Sequence, residues 1–101
     1  MKKLSSVLLA VMMVAAGAAQ AGGDAAAGKA KAAACAGCHG VAGVSNSPVW
    51  PNLAGQKAGY ISKQLKAFRS GARKDPMMDA TAKALSDADI DNLSAYYSGL
   101  K

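Results

Sequence analysis

The chain has two cysteines and one histidine, and the three stand together in the run Cys35-Ala36-Gly37-Cys38-His39. This placement removes the usual staple of small secreted domains. A disulfide stabilises by closing a loop in the unfolded chain, and a bridge from Cys35 to Cys38 would close almost none. Bulky side chains are also scarce. The only aromatic residues are Trp50, Tyr60, Phe68, Tyr96 and Tyr97, and the abundant alanines fill little volume. A chain this short needs more buried apolar surface than these side chains provide. Something besides a crosslink and the protein's own residues has to complete the core.

The first 21 residues are expected to lie outside the fold. Lys2 and Lys3 form a basic start, Leu4 to Ala16 is largely apolar, and Ala19-Gln20-Ala21 is an A-x-A cleavage site. That is the pattern of a secretory signal peptide. The apolar core is short for a membrane span of about 20 residues, so no stable membrane anchor is expected. Cleavage after Ala21 leaves residues 22–101 as one domain, exported to the periplasm. Lys2 and Lys3 leave with the peptide, so the net charge of +6 falls by two, to +4. That charge, with no long basic run, does not suit a nucleic-acid binder.

The C-x-x-C-H spacing is that of covalent attachment of a c-type haem. Thiols at Cys35 and Cys38 can form thioethers with the two vinyl groups on one side of a porphyrin. The histidine that follows is then held under the ring as the proximal ligand to iron. Ala36 and Gly37 are small enough to let the backbone lie close to the macrocycle, and the porphyrin itself supplies the missing apolar bulk. Structural zinc wants four nitrogen or sulfur ligands, and this run offers three. A thioredoxin-like dithiol wants a βαβ setting, and no stretch alternates with period two. With a single histidine, the sixth iron ligand has to be something else. Beyond the leader the only methionines are Met77 and Met78. Adjacent methionines are ordinarily packing residues, but beside C-x-x-C-H one of them is the expected ligand. A His/Met pair is the ligation of electron-transfer haems, in which the thioether raises the reduction potential.

Helical signals dominate the rest. Asp24 can N-cap a helix through the alanines to the first cysteine. Gly28 inside it marks either a helix crossing or a tolerated glycine on an exposed face. Residues 40–56 read as a loop rich in Gly, Pro, Ser and Asn, with Leu53 inward and Trp50 either inward or a surface plug. Ala58 to Ser70 forms the next helix, with Ile61, Leu65 and Phe68 on one stripe and Gly71 as its stop. Lys63, Lys66, Arg69, Arg73 and Lys74 make this region basic, as a docking feature or as a solvated face. Residues 72–85 read as a loop with a helical turn in its later part. Ser86 caps a last helix, with Asp89 at the capping-box position and Ile90, Leu93, Tyr96, Tyr97 and Leu100 on its inner side.

Residues 24–100 resemble the class I c-type cytochromes, of the small soluble bacterial periplasmic monohaem kind, and equally one half of the tandem dihaem cytochromes c. The resemblance runs through Gly28, Cys35 to Gly40, Pro51-Asn52-Leu53-Ala54-Gly55-Gln56, Tyr60, Gln64-Leu65, Phe68, Gly71, Arg73, Pro76-Met77-Met78, Leu85-Ser86-Asp87, Ile90, Leu93 and Ala95-Tyr96-Tyr97. It implies an all-α cytochrome c fold of three to four helices around one haem c, bound covalently through Cys35 and Cys38, with His39 on its iron. It also implies that the Pro51 carbonyl fixes the His39 ring, that Leu53 packs on the haem, and that Gly28 meets Tyr96. Counting back from Ser86, it favours Met78 over Met77 as the distal ligand. The chain departs from such relatives before Cys35, where they often carry a large apolar residue and this sequence has Ala32, Ala33 and Ala34; the tyrosines of the last helix are placed to compensate.

The expected function is one-electron transfer in the periplasm, without catalysis. The expected partners are a dehydrogenase, reductase or terminal oxidase docking by acidic surfaces, and the expected state is a monomer. Three other readings remain: a haem-based sensor or ligand binder with a labile methionine, a haem-free interaction module, and a detached unit of a larger redox enzyme.

Overall fold

A computed structural model describes residues 22–100, and the leader expected over residues 1–21 lies outside them. Each helix begins or ends at a residue whose chemistry accounts for it. Asp24 opens α1 (Ala25–Lys31), its carboxylate accepting from the backbone N–H groups of Ala26 and Ala27. A single turn at Ala32 separates α1 from α2 (Ala33–His39), and the Ala32 carbonyl accepts from both Cys35 and Ala36. The sequence predicts a helix that stops at Cys35. Instead the helical path continues through the whole C-x-x-C-H run, because nothing in Ala36-Gly37 forces it out. It ends at Gly40, whose φ of 88° is open to glycine and closed to most other residues.

Residues 40–57 are held by backbone bonds rather than by regular structure. The Gly43 carbonyl accepts from Leu53 and Ala54 at 2.8 and 3.0 Å, and Gly55 donates to the Tyr97 carbonyl at 2.9 Å. Next comes α3 (Ala58–Ser70), which buries Ile61 and Phe68, half-buries Leu65, and stops at Gly71. Then α4 (Pro76–Lys83) occupies most of the stretch expected to be loop. Asp75 caps it and Pro76 fills its first position, where the missing N–H costs nothing. Finally α5 (Asp87–Gly99) carries the Ser86/Asp89 capping box in both directions, each bond at 3.0 Å.

The described residues are all-helical, with five helices rather than three or four. The extra helices come from the division at Ala32 and from α4. The core is centred on α5, where Ile90, Leu93 and Tyr97 pack with Ile61, Leu85 and Ala32. Of Ala32, Ala33 and Ala34 before Cys35, only Ala32 is buried, in the cluster that holds Tyr97; the rings of Tyr96 and Tyr97 are 5.0 Å apart. Gly28 is the crossing point of α1 and α5. A Cβ there would lie 2.0 Å from the Asn92 carbonyl oxygen and 2.8 Å from the Tyr96 Cβ.

Candidate functional site

Helix geometry puts residues i, i+3 and i+4 on one face. Cys35, Cys38 and His39 therefore share one side of α2, and all three line a cavity of about 410 Å³. Both cysteines are free thiols. Burial raises the Cys35 thiol pKa, only partly opposed by the Tyr97 hydroxyl, and burial likewise raises the Tyr97 phenol. A half-buried thiol of raised pKa is the opposite of the activated thiolate that a dithiol redox site needs.

His39 is only 7% exposed. Its Nδ1 lies 2.8 Å from the Pro51 carbonyl oxygen. A carbonyl only accepts, so Nδ1 carries a proton, and in the neutral ring the lone pair is on Nε2. The residues from 40 to 57 set this geometry. Ser45 donates through its hydroxyl to the Cys38 carbonyl and through its backbone to the Asn52 side chain, which ties the strand of loop carrying Pro51 to the end of α2. Leu53 lines the cavity and packs against the core.

Further parts of the lining come from α3 and α4. Ile61, Leu65 and Phe68 present apolar surface, and Met77 and Met78 both reach the lining. The two methionines differ in burial: Met77 is 55% exposed, whereas Met78 is half-buried. Trp50 is 38% exposed and sits among the lining residues, so it is at once a wall and a rim.

Two members of the basic stretch turn out to be structural. Arg69 donates to Asp87 at 2.6 Å and to the Leu85 carbonyl at 3.2 Å, locking α3 to the start of α5. Arg73 lies over the Phe68 ring and donates to the Gln64 side chain at 2.7 Å. Both Arg73 and Gln64 line the cavity. Sequence reasoning gave neither a place there, since no spacing relates them to the cysteines.

This donor set fits a haem. It combines two thiols and an imidazole on one helical face with two thioethers and mainly apolar side chains in the same lining. A family model described as cytochrome c matches residues 25–101. Cytochrome c-554(548) of Halomonas halodenitrificans is 47% identical over 79 residues, covering 75% of this chain and 95% of that protein. An electron acceptor of thiosulfate dehydrogenase from Thiomonas intermedia is 43% identical over 72 residues, 70% of this chain and 33% of that one. The crystal structure of reduced cytochrome c4 from Pseudomonas stutzeri superposes with a TM-score of 0.75 at 41% identity, covering 78% of this chain and 46% of that one. The chain thus spans about half the length of the cytochrome c4 it matches. With the family model covering three quarters of its length and the same helical fold in a solved relative, the chain belongs to the cytochrome c family, whose cofactor is covalently bound haem c with its iron.

Proposed function

We propose that the chain is a periplasmic one-electron carrier, exported by cleavage after Ala21, with His39 and Met78 as the axial ligands of its haem. One observation carries this reading: Cys35, Cys38, His39 and the half-buried Met78 line a single cavity. Bound there, haem c supplies reversible one-electron chemistry between ferrous and ferric iron.

The chain's own residues do the rest. Cys35 and Cys38 fasten the cofactor by thioether bonds. Pro51 holds the proton of His39 on Nδ1, which fixes the ring's orientation and raises the basicity of Nε2. Leu53, Ile61 and Phe68 exclude water from the walls. Asp75 accepts from the backbone N–H groups of Met77 and Met78, so the methionine sits on a capped helix end instead of a free loop. Ligands held this firmly change little between oxidation states, which suits rapid transfer rather than substrate chemistry.

The rim supports a docking role. Val49, Trp50, Tyr60 and Met77 are exposed apolar residues beside the cavity. Lys57, Lys63 and Lys74 are exposed nearby in sequence. Exposed lysines of this kind steer toward acidic partners, and an apolar patch fixes orientation on contact. A periplasmic dehydrogenase is the partner class suggested by the relative that accepts electrons from thiosulfate dehydrogenase.

The test is the visible and near-infrared spectrum of the purified holoprotein, oxidised and reduced. A sharp reduced α-band with the weak near-infrared band of a methionine–ferric-iron bond is expected. A high-spin spectrum that binds carbon monoxide would replace the carrier reading with that of a ligand-binding sensor. A colourless folded protein would remove both.

A further inference from the structure

We infer that Arg73 is a positioning residue that holds the Met78 segment against α3, and so sets how firmly the sixth ligand stays in place. The inference rests on Met78 being that ligand. Between α3 and α4 the chain turns back at Gly71 and has to deliver Met78 to the cavity within a few residues. Arg73 anchors this return three times. Its backbone N–H donates to the Ala67 carbonyl at 3.1 Å. Its guanidinium donates to the Gln64 side chain at 2.7 Å and lies 4.5 Å above the centre of the Phe68 ring. Unlike Arg69, it spends its charge on a neutral amide and an aromatic face.

Two residues further on, Asp75 passes the restraint to the ligand. Its carboxylate accepts from the Met77 and Met78 N–H groups at 2.9 and 3.0 Å, while its own N–H donates to Asp79 at 3.1 Å. Arg73 thus fixes the chain to the α3 wall, Asp75 fixes the Met78 backbone, and only the covalent link through Lys74 lies between them. Gln64, Phe68, Arg73, Asp75 and Met78 all line the cavity. Gln64 and Arg73 have no donor atom suited to iron, so their place in the lining is explained by what they hold. A charge-assisted hydrogen bond joined to cation–π contact is directional, and lysine cannot reproduce it.

The experiment measures imidazole binding to the ferric holoprotein in wild type, Gln64→Ala, Arg73→Lys and Arg73→Ala. Imidazole takes the sixth position only when the methionine leaves, so its apparent affinity reports the population with methionine dissociated. Loss of one such contact is expected to tighten binding about fivefold, with far-ultraviolet circular dichroism unchanged. Gln64→Ala and Arg73→Lys should both shift it. The double variant Gln64→Ala/Arg73→Ala should fall short of the sum of the singles, because the two side chains act as a pair.

Wild-type affinity in both Gln64→Ala and Arg73→Lys, with only Arg73→Ala altered, would show a bare charge effect and overturn the proposal. Strict additivity in the double variant would overturn it as well. A wild-type spectrum lacking the methionine band would overturn the ligand assignment and this inference together. A wild-type band with unresponsive variants would overturn this inference alone.

Discussion

Two methionines sit side by side, and burial separates them. Both reach the cavity lining, but Met77 is more than half exposed while Met78 is half-buried. Met78→Ala is expected to abolish the near-infrared methionine band and lower the reduction potential, since the thioether favours ferrous iron. Met77→Ala should leave both unchanged. Absorption spectra and equilibrium redox titration check the pair, and the reverse pattern would move the ligand by one residue. Gly28 allows an equally sharp test. A methyl group there would overlap the Asn92 carbonyl and the Tyr96 Cβ, so Gly28→Ala should destabilise the holoprotein by about 3 kcal/mol. The denaturation midpoint should fall while the slope stays constant. At this scale the sequence was most legible where chemistry is local. Cys35, Cys38 and His39 are read from spacing alone, and the glycine in a helix that otherwise favours alanine pointed to a close crossing. Arg73 and Gln64 were not legible, because their pairing depends on how the chain returns over α3.

At the level of helices, caps carried most of the information. Asp24 and Ser86 mark true starts, and each side chain is seen accepting from the first turn. The same signal stands at Asp75-Pro76, a capping residue followed by the residue best suited to a first helical position. Reading that stretch as loop gave too much weight to proline as a breaker and too little to its position. The end of α2 went unread for a related reason: a motif that suggests attachment chemistry is also compatible with helix. The start of α5 has a pH signature. Arg69, by hydrogen bond and by charge, holds the Asp87 carboxyl below its ordinary value of 3.8, and the backbone N–H of Ser86 does the same for Asp89. A lowered folded pKa means the stabilisation is complete above the ordinary value and is lost as pH falls from there through the folded value. Thermal midpoints followed from neutrality into the acid range should show this loss, and Asp87→Asn should remove part of it. Asp87 is exposed and Asp89 half-exposed, so the effect should shrink in high salt.

For the molecule as a whole, the cavity occupies the space where a core would be. Ile61, Leu85, Leu93 and Tyr97 belong both to the packed cluster and to the cavity lining. Without haem these side chains lose their largest neighbour, and so short a chain has little else to bury. The haem-free protein is expected to lose most of its helical circular dichroism and its cooperative melt. A helical, cooperatively unfolding haem-free form would refute this. The sequence announced the deficit through its few aromatics and unstapled cysteines, but not its location. That depends on α5 packing against both α1 and α3, and on α4 packing against α3, which no local pattern encodes. The contact of α1 with α5 has a kinetic meaning too. Asp24 donates to the Asn92 side chain across 68 positions of chain, and Gly28 sits against the same residue. The first and last of the described helices are thus neighbours, and joining them closes a loop that spans most of the described chain. Loop-closure entropy grows with such a span, and folding slows as contacts become more distant in sequence. The described fold is shut by the meeting of α1 and α5, and that meeting adds to the entropic barrier the chain has to cross.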